Sequence, residues 1–219
     1  MILTDSGGCW FHRRNPCMNG MKKELDYFRI GNALGWNQDW FQDWSMYDGG
    51  CAAVTACDLC IYLARQKGMK ALYPYQADNP NRTDYHAFSV IMKQYLHPSW
   101  QGIDTLEQYL SGLSAYWKHS GADTLKADGL HGTVLWKEAA GQIKERIDDG
   151  ILVPFLLLYH KNKIFKDIQW HWFNLAGYEE FEDEFYVKAV TYGDFRWLNL
   201  RELWDTGYRK KGGIIRIYA

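Results

Sequence analysis

The stretch DGGCAAVTACDLCIYLA, residues 48–64, joins two glycines to a run of small and apolar residues. A run without a polar face predicts a helix that is buried on all sides. Cys51 follows the glycines directly, so it lies at the helix N-terminus, where free N–H groups and the helix dipole favour a thiolate. Gly49 and Gly50 carry no side chains, which lets a substrate carbonyl approach the backbone beside the sulfur. The sequence therefore predicts Cys51 as a nucleophile, and the alternative is a small residue buried in the core.

A base for this sulfur is predicted in the segment QWHWFNLAGY, residues 169–178, whose composition is typical of a β-strand. A thiol nucleophile needs such a base, which later protonates the leaving group. His171 is the candidate, flanked by Trp170 and Trp172. Asn174, three residues along, faces away from His171 because alternate side chains of a strand share a face. A packing role for His171 is the alternative.

A third residue is expected to accept a hydrogen bond from the imidazole and fix its tautomer. An acidic turn follows the histidine strand, and a second strand returns after it. If the hairpin turns between residues 181 and 182, Asp194 becomes the diagonal neighbour of His171 on the same face. A slip of one residue brings Thr191 or Gly193 into line instead. Asp194 is the predicted orienting residue, and a plain turn aspartate is the alternative.

Three stretches carry a resemblance to a known superfamily: residues 49–53 around the cysteine, residues 143–154 where a helix passes through a glycine and a proline into a strand, and residues 171–178. They resemble the papain-like cysteine peptidases, most closely the bacteriocin-processing (double-glycine leader) peptidase-like branch. The resemblance implies one α+β domain over residues 1–219. Helical periodicity over about residues 20–150 and β patterns over 151–219 predict the same division into a helical and a β part. The resemblance further implies that the nucleophile helix packs on a C-terminal antiparallel sheet.

The resemblance also implies an oxyanion-hole glutamine, which in this superfamily normally lies about six residues before the cysteine. That position holds Ser45, so the candidates are Gln42, nine residues before Cys51, and Gln38, thirteen before it. A longer loop can bring either amide to the sulfur, and Gln42 is preferred. The Cys-Gly-Ser-Cys-Trp surroundings typical of papain itself are absent.

Aromatic residues are frequent near both predicted catalytic residues, and the chain has 11 tryptophans in 219 residues. Flat rings bury a large area with little loss of rotamer entropy, so an aromatic cleft suits an extended peptide or a sugar. The residues predicted to line the substrate cleft are Trp44, Gly49, Gly50, Trp170 and Trp172.

Composition narrows the function further. With 47% apolar residues and a net charge of −1, the chain can bury a core and gives no electrostatic reason to bind nucleic acid. No apolar stretch reaches the length of a membrane span, and the start lacks the order of a signal peptide, so a cytoplasmic location is expected. Five cysteines, an odd number, favour a reducing compartment. Three of the four ligands of a zinc site are conceivable at Cys9, His12 and Cys17, but no metal or cofactor is predicted.

These observations predict a cysteine peptidase-like hydrolase that cleaves a peptide or amide bond through a thioester. Cys51 attacks the carbonyl, His171 transfers the proton and Asp194 orients the imidazole. Two alternatives stay open: a peptide-binding module that has lost catalysis on the same fold, and an acyl transferase in which an amine replaces water.

Overall fold

The computed structural model of this protein describes residues 20–98 and 102–219. The residues considered as zinc ligands, Cys9, His12 and Cys17, lie outside this described part. Within it the fold is α+β, as predicted: helices pack against an antiparallel sheet of seven strands. A separate ribbon of two short strands lies before the first helix.

In chain order the strands are β1 (Met21–Glu24), the ribbon strands β2 (Arg29–Ile30) and β3 (Ala33–Leu34), β4 (Lys126–His131), β5 (Val153–Leu157), β6 (His171–Phe181), β7 (Glu184–Thr191), β8 (Asp194–Asn199) and β9 (Gly213–Tyr218). The large sheet has the strand order β4-β9-β5-β6-β7-β8, and β1 is added to β6. The long strand β6 pairs along one edge with β7. Its other edge is shared, because β5 pairs with its first half and β1 with its second half.

Of the six α-helices in the described part of the chain, four begin after a residue whose side chain accepts a backbone N–H group. Asp43 accepts the N–H of Ser45, and Thr105 accepts that of Gln108, which satisfies donors that a helix start leaves free. Among the described residues, no helix combines the length and the apolar character needed to cross a bilayer. The helices are α1 (Trp44–Gly49), α2 (Cys51–Gln66), α3 (Arg82–Lys93), α4 (Leu106–Ser120), α5 (Trp136–Asp148) and α6 (Leu200–Trp204).

Helix α2 lies in the centre of the core. Every residue from 51 to 64 is buried except Val54, which agrees with the absence of a polar face in the sequence. The helix packs against β6, so the two segments predicted to carry the nucleophile and the base are in contact. Cys57 and Cys60 are fully buried in α2. Burial raises the pKa of Cys60 to about 12 and that of Cys57 well above its usual value, which favours the protonated thiol at both positions.

The N-terminal region is less helical than predicted, because β1 and β4 fall within residues 20–150 and join the C-terminal sheet. The sequence of strand β4, KADGLH, contains Gly129 and has few apolar residues, so its local pattern does not indicate a strand. A Cβ atom at Gly129 would lie 3.1 Å from the side chain of Leu106. The glycine therefore lets α4 pack closely on the strand, a contact between segments that local sequence patterns do not reveal.

Candidate active site

The sulfur of Cys51 lies at the first residue of α2, next to the start of β6. Only 7% of the residue is exposed, and this burial raises the pKa of the thiol. Hydrogen bonds from the backbone of Trp172, Ala52 and Cys51 itself act in the opposite direction. Two of these groups belong to the helix N-terminus, as predicted, and the third comes from the residue that follows His171. Burial outweighs them, so the thiol is protonated at neutral pH.

The turn before Cys51 requires glycine. Gly50 alone separates α1 from α2, and a Cβ atom there would lie 2.3 Å from the carbonyl oxygen of Met46. Gly49 is the last residue of α1. The predicted open glycine turn is therefore a tight junction of two helices, and it fixes where α2 begins.

His171 is the first residue of β6 and lines the same small cavity as Cys51. Its Nε2 atom lies 2.7 Å from the Oγ1 atom of Thr191. Burial lowers the pKa of His171 to about 4, with Asp167 acting to raise it and Arg196 to lower it further. The imidazole is therefore neutral at pH 7. The sequence predicted a thiolate, whereas burial favours a neutral thiol and a neutral imidazole that line the same cavity.

The strand register places Thr191 rather than Asp194 on the imidazole. The hairpin turns at residues 182–183, and a bulge between Leu175 and Tyr178 takes up an additional residue of β6. Asn174 consequently pairs with Val190, one residue beyond the predicted position. This is the slip for which Thr191 was the alternative.

Asp194 was predicted to orient the imidazole of His171, and its position in the structure corrects this prediction. Asp194 is exposed, pairs with Thr191 across the β7–β8 turn, and accepts the N–H of Phe195 with its own carboxylate at 2.8 Å. Its carboxylate thus stabilises the turn itself, which is the alternative that the sequence left open.

Of the two candidate glutamines, Gln38 lines the cavity with Cys51 and His171. It is buried in a short 3₁₀ turn, and its Nε2 atom donates a hydrogen bond of 2.8 Å to the carbonyl oxygen of Tyr47. Its Oε1 atom is buried without a hydrogen-bond partner among the described residues. Gln42, the preferred candidate, is exposed and lines a separate surface depression with Trp40 and Arg82.

The predicted aromatic cleft is only partly formed. Trp172 lines the cavity, but its ring is buried against Tyr109 with the ring centres 4.2 Å apart. Trp170 lies outside the cavity and contacts the ring of Tyr159. Trp44 is 72% exposed and stacks on Tyr47, whose carbonyl holds Gln38. The space within the cavity is about 10 Å³, the size that one water molecule or carbonyl oxygen needs.

A buried polar network that includes the cavity-lining residues Asp58 and Asn174 was not predicted. The carboxylate of Asp58 accepts hydrogen bonds from the hydroxyls of Tyr27 at 2.8 Å and Tyr85 at 2.6 Å. Asn174 donates to Tyr27 at 3.2 Å and to the carbonyl oxygen of Thr55 at 3.0 Å. Burial raises the pKa of Asp58 to about 7, although its hydrogen bonds lower it. The available sequence signal was an aspartate in the middle of an apolar helix, since a buried carboxylate requires partners.

Tyr192 was also missed by sequence reasoning. Its ring lies parallel to the imidazole of His171, with ring centres 4.8 Å apart and planes 3° apart. It lines the cavity together with Cys51.

Comparison of this chain with protein-family models and with curated proteins finds no match in either.

Proposed function

We propose that this chain is a papain-like cysteine hydrolase that cleaves a peptide or amide bond through Cys51 and His171. One observation carries the proposal: the two side chains line a single cavity, while the hydroxyl of Thr191 contacts the Nε2 atom of the imidazole. In this arrangement the sulfur at the helix start is the nucleophile, and the histidine on the strand is the base. The hydroxyl that contacts the histidine is the orienting group.

The reaction starts from the neutral pair. With Nε2–H donating to Thr191, Nδ1 is the nitrogen left to take the thiol proton as the sulfur attacks the substrate carbonyl. The resulting imidazolium then gives this proton to the leaving amine, and the C–N bond breaks to leave a thioester on Cys51. Water adds to the thioester with His171 again as base, which releases the acid and restores the thiol.

Gln38 supplies the oxyanion stabilisation in this mechanism. A side-chain amide carries two N–H donors, and the bond to the Tyr47 carbonyl occupies one of them. The second N–H is available to the oxygen of the tetrahedral intermediate. The small volume of the cavity fits this role, because it holds a group the size of a carbonyl oxygen.

The alternative, a peptide-binding module without catalysis, is favoured by two observations. Burial keeps the Cys51 thiol protonated, and the group on His171 is a hydroxyl, which stabilises an imidazolium less than a carboxylate does. An acyl transferase would share every step up to the thioester and differ only in the group that resolves it.

Acylation by p-nitrophenyl acetate tests the proposal. We expect an acetyl group on Cys51, located by peptide mass spectrometry, and loss of this acylation in H171A. H160A is the matched control, because His160 is equally buried but its Nε2 atom contacts the carbonyl oxygen of Glu202. Absence of acetyl-Cys51 in the wild-type protein would favour the binding module. If an added amine takes up the acetyl group faster than water does, the transferase is favoured.

A further inference from the structure

Tyr192 occupies a backbone position that disfavours its side chain. Thr191 and Asp194 pair with each other, so Tyr192 and Gly193 form a two-residue turn between β7 and β8. Their φ angles are 51° and 75°, both in the left-handed region. A two-residue hairpin of this kind prefers asparagine followed by glycine, and a bulky aromatic residue in its first position is an outlier. A contact outside the turn must therefore offset the backbone strain at Tyr192.

The compensating contact is with His171. The two rings are stacked in parallel with their centres 4.8 Å apart, and Thr191, the residue before Tyr192, binds Nε2 at 2.7 Å. Two consecutive residues thus hold the imidazole, one at its edge and the other on its face. Backbone strain of this kind is characteristic of positions where a functional geometry is imposed.

We propose that Tyr192 is a positioning residue for His171, whose stacked ring fixes the plane of the imidazole and shields it from water. This inference rests on the proposed role of the Cys51–His171 pair. It assigns the ring a function that depends on an aromatic face and not on its hydroxyl.

The charges around His171 make this shielding measurable. Asp167 and Arg196 are the charged groups that act on the imidazole, and they form an ion pair with each other at 2.9 Å. Cys51 and Thr191 face it as neutral groups. Because the two charges act in opposite directions, burial is the main reason why the pKa of His171 lies near 4. Removing the ring should therefore raise this pKa towards the ordinary value of 6.5.

The decisive variant is Y192N, which gives the turn its preferred residue and removes the ring. Y192F keeps the ring and should retain wild-type behaviour. Glu182 provides a matched control, because it has a φ angle of 52° in the first position of the two-residue β6–β7 loop, away from the cavity. E182N therefore tests what the turn substitution does by itself. Y192L is measured as well, so that an aliphatic replacement is available if Y192N does not fold.

Two measurements are made on each variant: the rate of Cys51 alkylation by iodoacetamide at pH 7, and the titration of His171 by NMR. We expect Y192N to lose about tenfold or more in rate, as general-base catalysis requires correct geometry. We expect its His171 titration to move upward by about one pH unit or more. Y192F and E182N should change neither value.

Wild-type values of both measurements in a folded Y192N or Y192L would overturn the inference. Alkylation of the wild-type protein that does not depend on His171 would contradict the proposed function instead. The NMR titration distinguishes the two failures, because it reports the environment of the imidazole whether or not Cys51 reacts.

Discussion

The Nε2 atom of His171 lies 2.7 Å from the Oγ1 atom of Thr191, where the proposed mechanism needs a group that orients the imidazole. T191V removes the hydroxyl with little change in volume and leaves the buried nitrogen without this partner. We expect an activity loss of about tenfold or more and a decrease of about 1–3 kcal/mol in the free energy of unfolding. Acylation kinetics with p-nitrophenyl acetate and urea unfolding measure the two effects.

T191S keeps a hydroxyl at the same position and serves as the control for T191V. We expect it to retain most of the acylation rate. A T191V variant that is acylated as fast as T191S would show that the hydroxyl does not orient the imidazole.

Substitutions of Gln38 and Gln42 distinguish oxyanion stabilisation from the reactivity of the nucleophile. Loss of an oxyanion donor costs about 10²- to 10³-fold in turnover, so Q38A should slow acylation by p-nitrophenyl acetate to that extent. Alkylation by iodoacetamide forms no oxyanion and should change much less. Q42A, which alters an exposed residue, should affect neither reaction. A Q42A variant that slows acylation as strongly as Q38A would refute this assignment.

Two buried groups make opposite contributions to the pH dependence of stability. The pKa of His171 is about 4 in the folded protein and ordinarily 6.5, so its contribution to stability is present above pH 6.5 and is lost as the pH falls to 4. The pKa of Asp58 is about 7 and ordinarily 3.8, so its contribution is present below pH 3.8 and is lost as the pH rises to 7. Between about pH 4 and 6.5 the two groups change the free energy of unfolding with pH by equal and opposite amounts, so their effects cancel.

D58N removes one of these opposing contributions. We expect the free energy of unfolding of D58N to rise by about 3 kcal/mol between pH 4 and 6.5, because only the His171 contribution remains. H171A should show the opposite slope over this range. Urea unfolding at several pH values measures both. A profile of D58N as flat as that of the wild-type protein would show that the two groups are not coupled to folding in this way.

Gly50 fixes the start of α2, and with it the position of Cys51. G50A places a Cβ atom 2.3 Å from the carbonyl oxygen of Met46, so the junction must shift. We expect a loss of about 1–3 kcal/mol in the free energy of unfolding. G141A is the comparison, because a Cβ atom at Gly141 in α5 meets nothing within 4 Å and should add about 1 kcal/mol. A G50A variant as stable as G141A would contradict the close approach.

Local patterns were sufficient to predict the parts of the site that depend on one element. The position of Cys51 followed from glycines before an apolar run, and the burial of α2 followed from the lack of a polar face. The placement of His171 at the start of a strand was also local. That these two elements meet was implied by resemblance alone, and no local pattern contains it.

The parts that were wrong depend on contacts between segments. The bulge between Leu175 and Tyr178 moved the register by one residue, and a single residue decides between Thr191 and Asp194. Gln38 reaches the cavity because the carbonyl oxygen of Tyr47 holds its amide, although the spacing favoured Gln42. Tyr192 was unexpected, since turn preferences favour asparagine at its position.

The rate of Cys51 alkylation by iodoacetamide, compared between the wild-type protein and H171A, tests the central claim most directly. We predict that Cys51 reacts far faster than the buried Cys57 and Cys60, and that H171A slows it by about tenfold or more while H160A does not. A Cys51 that reacts no faster than Cys57, or at the same rate with and without His171, would contradict the account.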